Sequence, residues 1–161
     1  GWDYTSDAEI GALPDFDMEE IGRIDLEADT EKALSNNWQL RIDERKLQNA
    51  PDATLRDQYT KTVDNDRQQI KASVRSAYDT LVQAKQTYDT GAEQLNLSRQ
   101  NLEKSSRQLS LGVISRMEYR TAENETTGLE HTQRLNEIAV FSAWTAYQGA
   151  VNGLASTGSA Q

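Results

Sequence analysis

The sequence predicts an all-α fold: one long antiparallel helical hairpin with shorter helices on its N-terminal side. Three observations predict it. Apolar or small residues recur at steps of mostly three, four or seven from Leu55 to Leu109. A segment suited to turning, Leu111-Gly112-Val113-Ile114-Ser115, follows at once, and a second such stripe runs through Ala122, Leu129, Leu135, Ile138, Ala143, Tyr147, Val151 and Leu154. Only 36% of the 161 residues are hydrophobic and two are proline, which is thin for a globule but enough for a rod that buries a stripe rather than a sphere.

Residues 1–25 read as an acidic, irregular connector with one short helix. Gly11 and Pro14 interrupt any period. Asp17-Met18-Glu19-Glu20 has the spacing of a capping box, with Phe16 and Ile21 as its hydrophobic staple, and Gly22 ends the helix. A helical repeat follows over 26–155. Its first helix, about 26–49, opens at Asp25 with Glu27 and Asp29 where the helix dipole favours acids. Asn36-Asn37 breaks or kinks it, since both side chains compete for backbone hydrogen bonds, and Pro51 stops it. The second helix spans about 53–110, capped by Asp52 or Thr54. Gly91 inside it is either a tolerated defect or a point of close helix approach or bending.

The turn combines two end signals. Gly112 suits the left-handed position that closes a helix, and Ser115-Arg116-Met117-Glu118 is a capping box, with Ile114 and Tyr119 as its staple. The third helix runs over about 115–153, and 156–161 is a small, polar, flexible tail. Facing residues of an antiparallel pair have a constant sum of residue numbers, here about 225. Leu109 and Met117, Leu102 and Ala122, Leu95 and Leu129, Tyr88 and Ile138, Leu81 and Trp144, Tyr78 and Tyr147, and Val74 and Val151 obey it.

Composition excludes several functions. The net charge of −9 is concentrated in residues 1–31, where eleven acids face Arg23 alone, leaving the rest at +1. No basic stripe offers itself to nucleic acid. The absence of cysteine removes disulfides, thiolate metal sites and cysteine nucleophiles. No apolar run is long enough to span a bilayer as a helix, and no segment reads as a signal peptide. The opening Gly1-Trp2-Asp3 reads as the interior of a longer chain. No motif suggests an enzyme, a cofactor or a metal. His131 reads as a surface residue, and Asp64 and Asp66 read as solvation. Asn96-Leu97-Ser98 and Asn124-Glu125-Thr126 read as chance glycosylation matches. The uncharged polar residues of 83–110 are either a solvated face or a surface that packs on other copies or lines water.

Several segments together resemble the outer-membrane efflux protein (TolC) family. Ala33-Leu34-Ser35-Asn36-Asn37-Trp38-Gln39-Leu40-Arg41 is similar to the "AL-x-NN-x-x-LR" opening of its repeat. Val74-Arg75-Ser76-Ala77-Tyr78-Asp79-Thr80-Leu81 resembles "VR-x-AY-x-x-L", and Ser110 to Tyr119 resembles the "LG-x-IS-x-x-E" helical tip. The match covers roughly residues 26–155 and one repeat, most like the second of two. The resemblance implies a periplasmic helical tube in an efflux or type I secretion conduit of the cell envelope. Its partners would be other copies or the missing first repeat, a membrane-fusion adaptor and an inner-membrane pump. Leu111, Gly112, Val113, Ile114 and Ser115 would form the docking tip, and Glu118 would lie near a constriction. Thr121 stands where the family can place an acid. Where the family inserts two β-strands, this chain has only Asn49-Ala50-Pro51-Asp52-Ala53-Thr54, too short for strands of about 9–11 residues each. The alternative is a coiled-coil hairpin spacer with no transport role.

Overall fold

The computed structural model describes residues 17–155 and Thr157, so the staple at Phe16 and most of the tail lie outside the described residues. Four α-helices carry the fold: α1 (Leu26–Asn36), α2 (Trp38–Gln48), α3 (Ala53–Ser110) and α4 (Arg116–Gly149). A 3₁₀ turn, Met18–Arg23, precedes them, and a wide π-helical turn, Ala150–Leu154, closes α4. No strand occurs among the described residues. The fold is therefore an all-α helical hairpin with short N-terminal helices. The expected connector is not wholly separate, because Ile21 in the 3₁₀ turn is buried in the common core. Asp17 caps that turn through the Glu19 amide, one residue earlier than a capping box would.

α3 is the spine. Its 58 residues give a rod of about 87 Å at 1.5 Å per residue. α4 runs antiparallel along its C-terminal two thirds, and α2 runs antiparallel along its N-terminal part. The Arg67–Glu44 ion pair, 2.7 Å, marks the second pairing. Ile70, Val74, Leu81 and Val140 are fully buried along the spine, each stabilising by about 1.5–3 kcal/mol.

The α3–α4 register follows the expected arithmetic closely. The Tyr78 and Tyr147 ring centroids are 6.1 Å apart. Ser98 and Thr126 share a hydrogen bond of 2.8 Å, and Gln133 Nε2 donates to the Tyr88 carbonyl at 3.1 Å. Several assigned seam residues nevertheless point outward. Met117 is 80% exposed, Leu135 66%, Ile138 48% and Leu154 80%. The α4 seam instead steps by threes and fours through Ala122, Thr126, Leu129, Gln133, Asn136, Val140, Ala143 and Tyr147, all buried or half-buried. Four of these eight are apolar only in part or not at all, so a hydrophobic count slides off the true stripe. At Gly91 two side chains of α4 fill the space beside the α3 backbone. A Cβ there would collide with Gln133 Oε1 and lie 2.7 Å from Asn136 Nδ2.

The ends of α4 and α2 meet head to tail over α3. Asn37 caps α2 by accepting from the Leu40 amide at 3.0 Å, and its amide donates to the carbonyls of Gly153, 3.3 Å, and Ala155, 3.0 Å. Asn36 Nδ2 reaches the Val151 carbonyl at 3.4 Å. The two asparagines therefore splice two helix ends. Gly153, at φ +93°, lets the backbone curl against Asn36.

α1 is tied to α4 beside this splice. The Tyr147 hydroxyl donates to Asp29 Oδ2 at 2.8 Å, and Lys32 holds the other oxygen at 2.8 Å. Burial, then the Asp29 bond and charge, push the Tyr147 phenol well up, so it remains a donor. Tyr147→Phe is expected to cost about 1.5–3 kcal/mol, the range for hydrogen bonds to charged groups. Urea unfolding of the two proteins measures it.

Candidate docking tip

The tip is built by two local devices. At the end of α3, the Gly112 amide donates to the Leu109 carbonyl at 3.0 Å and the Val113 amide to the Gln108 carbonyl at 2.9 Å. This crossed pair is the Schellman motif, and it requires the left-handed residue that Gly112 supplies at φ +70°. At the start of α4, the Ser115 amide donates to Glu118 Oε2 at 2.7 Å and the Glu118 amide to Ser115 Oγ at 3.2 Å. The capping box is complete. The bond from the Ser115 backbone, joined by that from its side chain, holds the Glu118 carboxyl below the ordinary glutamate value. Glu118 is exposed.

These devices fix how the expected tip residues are presented. Leu111 is 77% exposed and Val113 66%, while Ile114 is half-buried, as is Tyr119, its expected staple partner. Gly112 and Ser115 are engaged in closing and capping. Met117 joins Leu111 and Val113 as an exposed apolar side chain at this end of the rod. Sequence reasoning missed it by pairing it with Leu109. The signal was available, because Ser115, Tyr119 and Ala122 continue the 3–4 stripe and leave Met117 off it.

Two open grooves run between α3 and α4. One, about 880 Å³, lies near the splice and is walled by small residues such as Ser76, Ala77, Thr80, Ala146 and Gly149. The other, about 480 Å³, is polar, with Gln83, Gln86, Gln94, Thr132 and Gln133 on its walls. Part of the uncharged segment of α3 thus lines a groove with α4. Ser98 and Thr126, the hydroxyl residues of the two chance glycosylation matches, bond each other in the seam. His131 is exposed, as expected. Asp64 is exposed but Asp66 is fully buried, which corrects its reading as a solvating residue.

Among the described residues, no cluster of three or more His, Cys, Asp or Glu could hold a metal ion. No helix among them is long and apolar enough to cross a membrane. No family model matches the chain, and neither a curated protein nor a solved structure matches it.

Proposed function

We propose that the chain is a helical element of an outer-membrane efflux or type I secretion conduit, on the periplasmic side of the cell envelope. It acts by assembly and by docking a membrane-fusion adaptor at its tip, with an inner-membrane pump beyond, and it performs no chemistry. The observation that carries this reading is the tip. A turn held rigid by its own backbone bonds displays Leu111, Val113 and Met117 to solvent. Exposed apolar groups clustered on a rigid element mark a contact surface. The small-residue groove beside the splice suits lateral packing against other copies or a related repeat. The resemblance of the tip and asparagine motifs supports the same role.

The paired variant Leu111→Asp, Val113→Asp tests it against a purified membrane-fusion adaptor. Both positions are exposed, so each should change stability by no more than about 0.5 kcal/mol. Adaptor affinity should fall at least tenfold, as expected when central apolar contacts are lost. Equal binding of both proteins removes the tip from the interface. An adaptor that ignores the wild-type chain leaves the coiled-coil spacer as the reading, which the continuous seam would serve equally well.

A further inference from the structure

The two flanks of the α3–α4 seam differ in charge. One flank carries Lys85 and Arg99 of α3 and Glu123, Glu130 and Glu137 of α4, all spaced by multiples of seven, and Arg99 bonds Glu130 across the seam at 2.8 Å. The other flank holds both open grooves, and among the described residues no charged side chain walls either of them. There Thr132, Ala139 and Ala146 recur at sevens beside the seam, with Leu135, Ser142 and Gly149 in the next row out. The positions that flank a helical seam are ordinarily rich in Glu and Lys. A patch depleted of charge is the compositional mark of the core of a protein interface. Leu135 and Ile138 stand exposed on this one.

The uncharged flank is also uneven along its length. Toward the splice it is hollow, where the groove of about 880 Å³ has walls of small residues such as Ser76, Ala77, Ala146 and Gly149. Toward the tip the groove narrows to about 480 Å³ between longer side chains, Gln83, Gln86 and Gln94 among them. Leu135 and Ile138 project beside that narrower stretch. We propose that this flank seats a second copy of the chain, turned end for end about a two-fold axis that crosses the rod between Ala139 and Ser142. α4 then lies on the α4 of its mate, and Leu135 of each copy comes level with Ala146, at the other copy's hollow. A two-fold axis along the rod would instead set hollow against hollow and projection against projection.

The extent of the flank suffices for such a pair. From Gly128 to Gly149 it runs about 33 Å, and it is two helices, about 20 Å, wide. It offers roughly 650 Å² per copy, or about 1,300 Å² in all, within the range of about 1,200–2,000 Å² typical of stable interfaces. A two-fold contact needs only one self-complementary patch, which is what the hollow and the projections make together. The pairing stands apart from adaptor docking, which uses the tip.

Two measurements on the full chain test the pairing. Sedimentation equilibrium at about 100 μM, above the micromolar dissociation constants at the weak end of such interfaces, should show a dimer. Leu135→Lys should raise its dissociation constant at least tenfold, and Glu137→Gln, on the charged flank, should leave it unchanged. Both positions are exposed, so neither change threatens the fold. The chain has no cysteine, so single introduced cysteines report the orientation. Ala139→Cys would stand about 5 Å along the rod from its mate and should form a disulfide-linked dimer on mild oxidation. Gly128→Cys would stand about 37 Å from its mate and should not. A monomeric wild type overturns the proposal, as does a dimer that Leu135→Lys leaves intact. So does a failure of Ala139→Cys to link, or equal linking at the two positions.

Discussion

Gly153→Ala is expected to lower stability by roughly 3 kcal/mol, read as a lower urea midpoint with an unchanged slope. The cost has two physical sources. An alanine in the left-handed region costs about 1–2 kcal/mol more than in the right-handed one. Its Cβ would also lie 2.6 Å from the Asn36 carbonyl oxygen and 3.1 Å from the Asn37 amide nitrogen. Those are backbone atoms at a splice, not the ends of flexible side chains, so relief must come from moving α1 and α2 away from the end of α4. That movement strains the Asn37 bonds, each worth about 1 kcal/mol. Gly128→Ala is the control. Nothing lies within 4 Å of its Cβ position, and it sits inside a regular helix. It should gain up to about 1 kcal/mol from helix propensity. Equal effects at the two glycines would contradict the account.

The second large effect is expected at Asn37, which is 1% exposed. Asn37→Ala removes the cap of α2, worth about 1 kcal/mol. It also strips the Gly153 and Ala155 carbonyls of a buried donor, at about 1–3 kcal/mol. Roughly 3 kcal/mol in all should be lost. Asn37→Asp separates the contributions. It keeps an acceptor for the Leu40 amide but turns a negative charge toward two carbonyl oxygens, so it should be no better than alanine. Because Asn37 and Gly153 act on the same joint, the double variant should lose less than the sum of the single losses. Strict additivity would show that the two residues do not share a joint.

What could be read from sequence divides by range. The tip was legible because a Schellman closure and a capping box use only neighbours within a few residues, and Gly112, Ser115 and Glu118 stand at the required spacings. The bounds of α3 were legible for the same reason, through Asp52 and Gly112. Asn36-Asn37 announced a break, but its destination was invisible, since the bonds go to residues more than a hundred positions away. The seam of α4 was half-read. Leu135 and Ile138 attracted the assignment by hydrophobicity, while Thr126, Gln133 and Asn136 took the inward places because each finds a polar or glycine partner on α3. Asp66 misled for a related reason. One residue type gives no sign of burial when the residues that enclose it lie far away in the sequence.

The steps of three and four along the α3–α4 seam have a handedness. A repeat of seven over two turns falls short of the natural α-helical pitch by about 20° per repeat. The two helices must therefore wind about each other in a left-handed sense to stay in contact. Between Ala77 and Leu109 the seam runs through some four and a half repeats, so its direction turns by about 90° along the rod. The small-residue groove near the splice therefore looks out in a different direction from the stretch of seam nearest the tip. A straight neighbour laid along the hairpin drifts off the seam by about 20° with every two turns. A neighbour that follows it from splice to tip must share its winding.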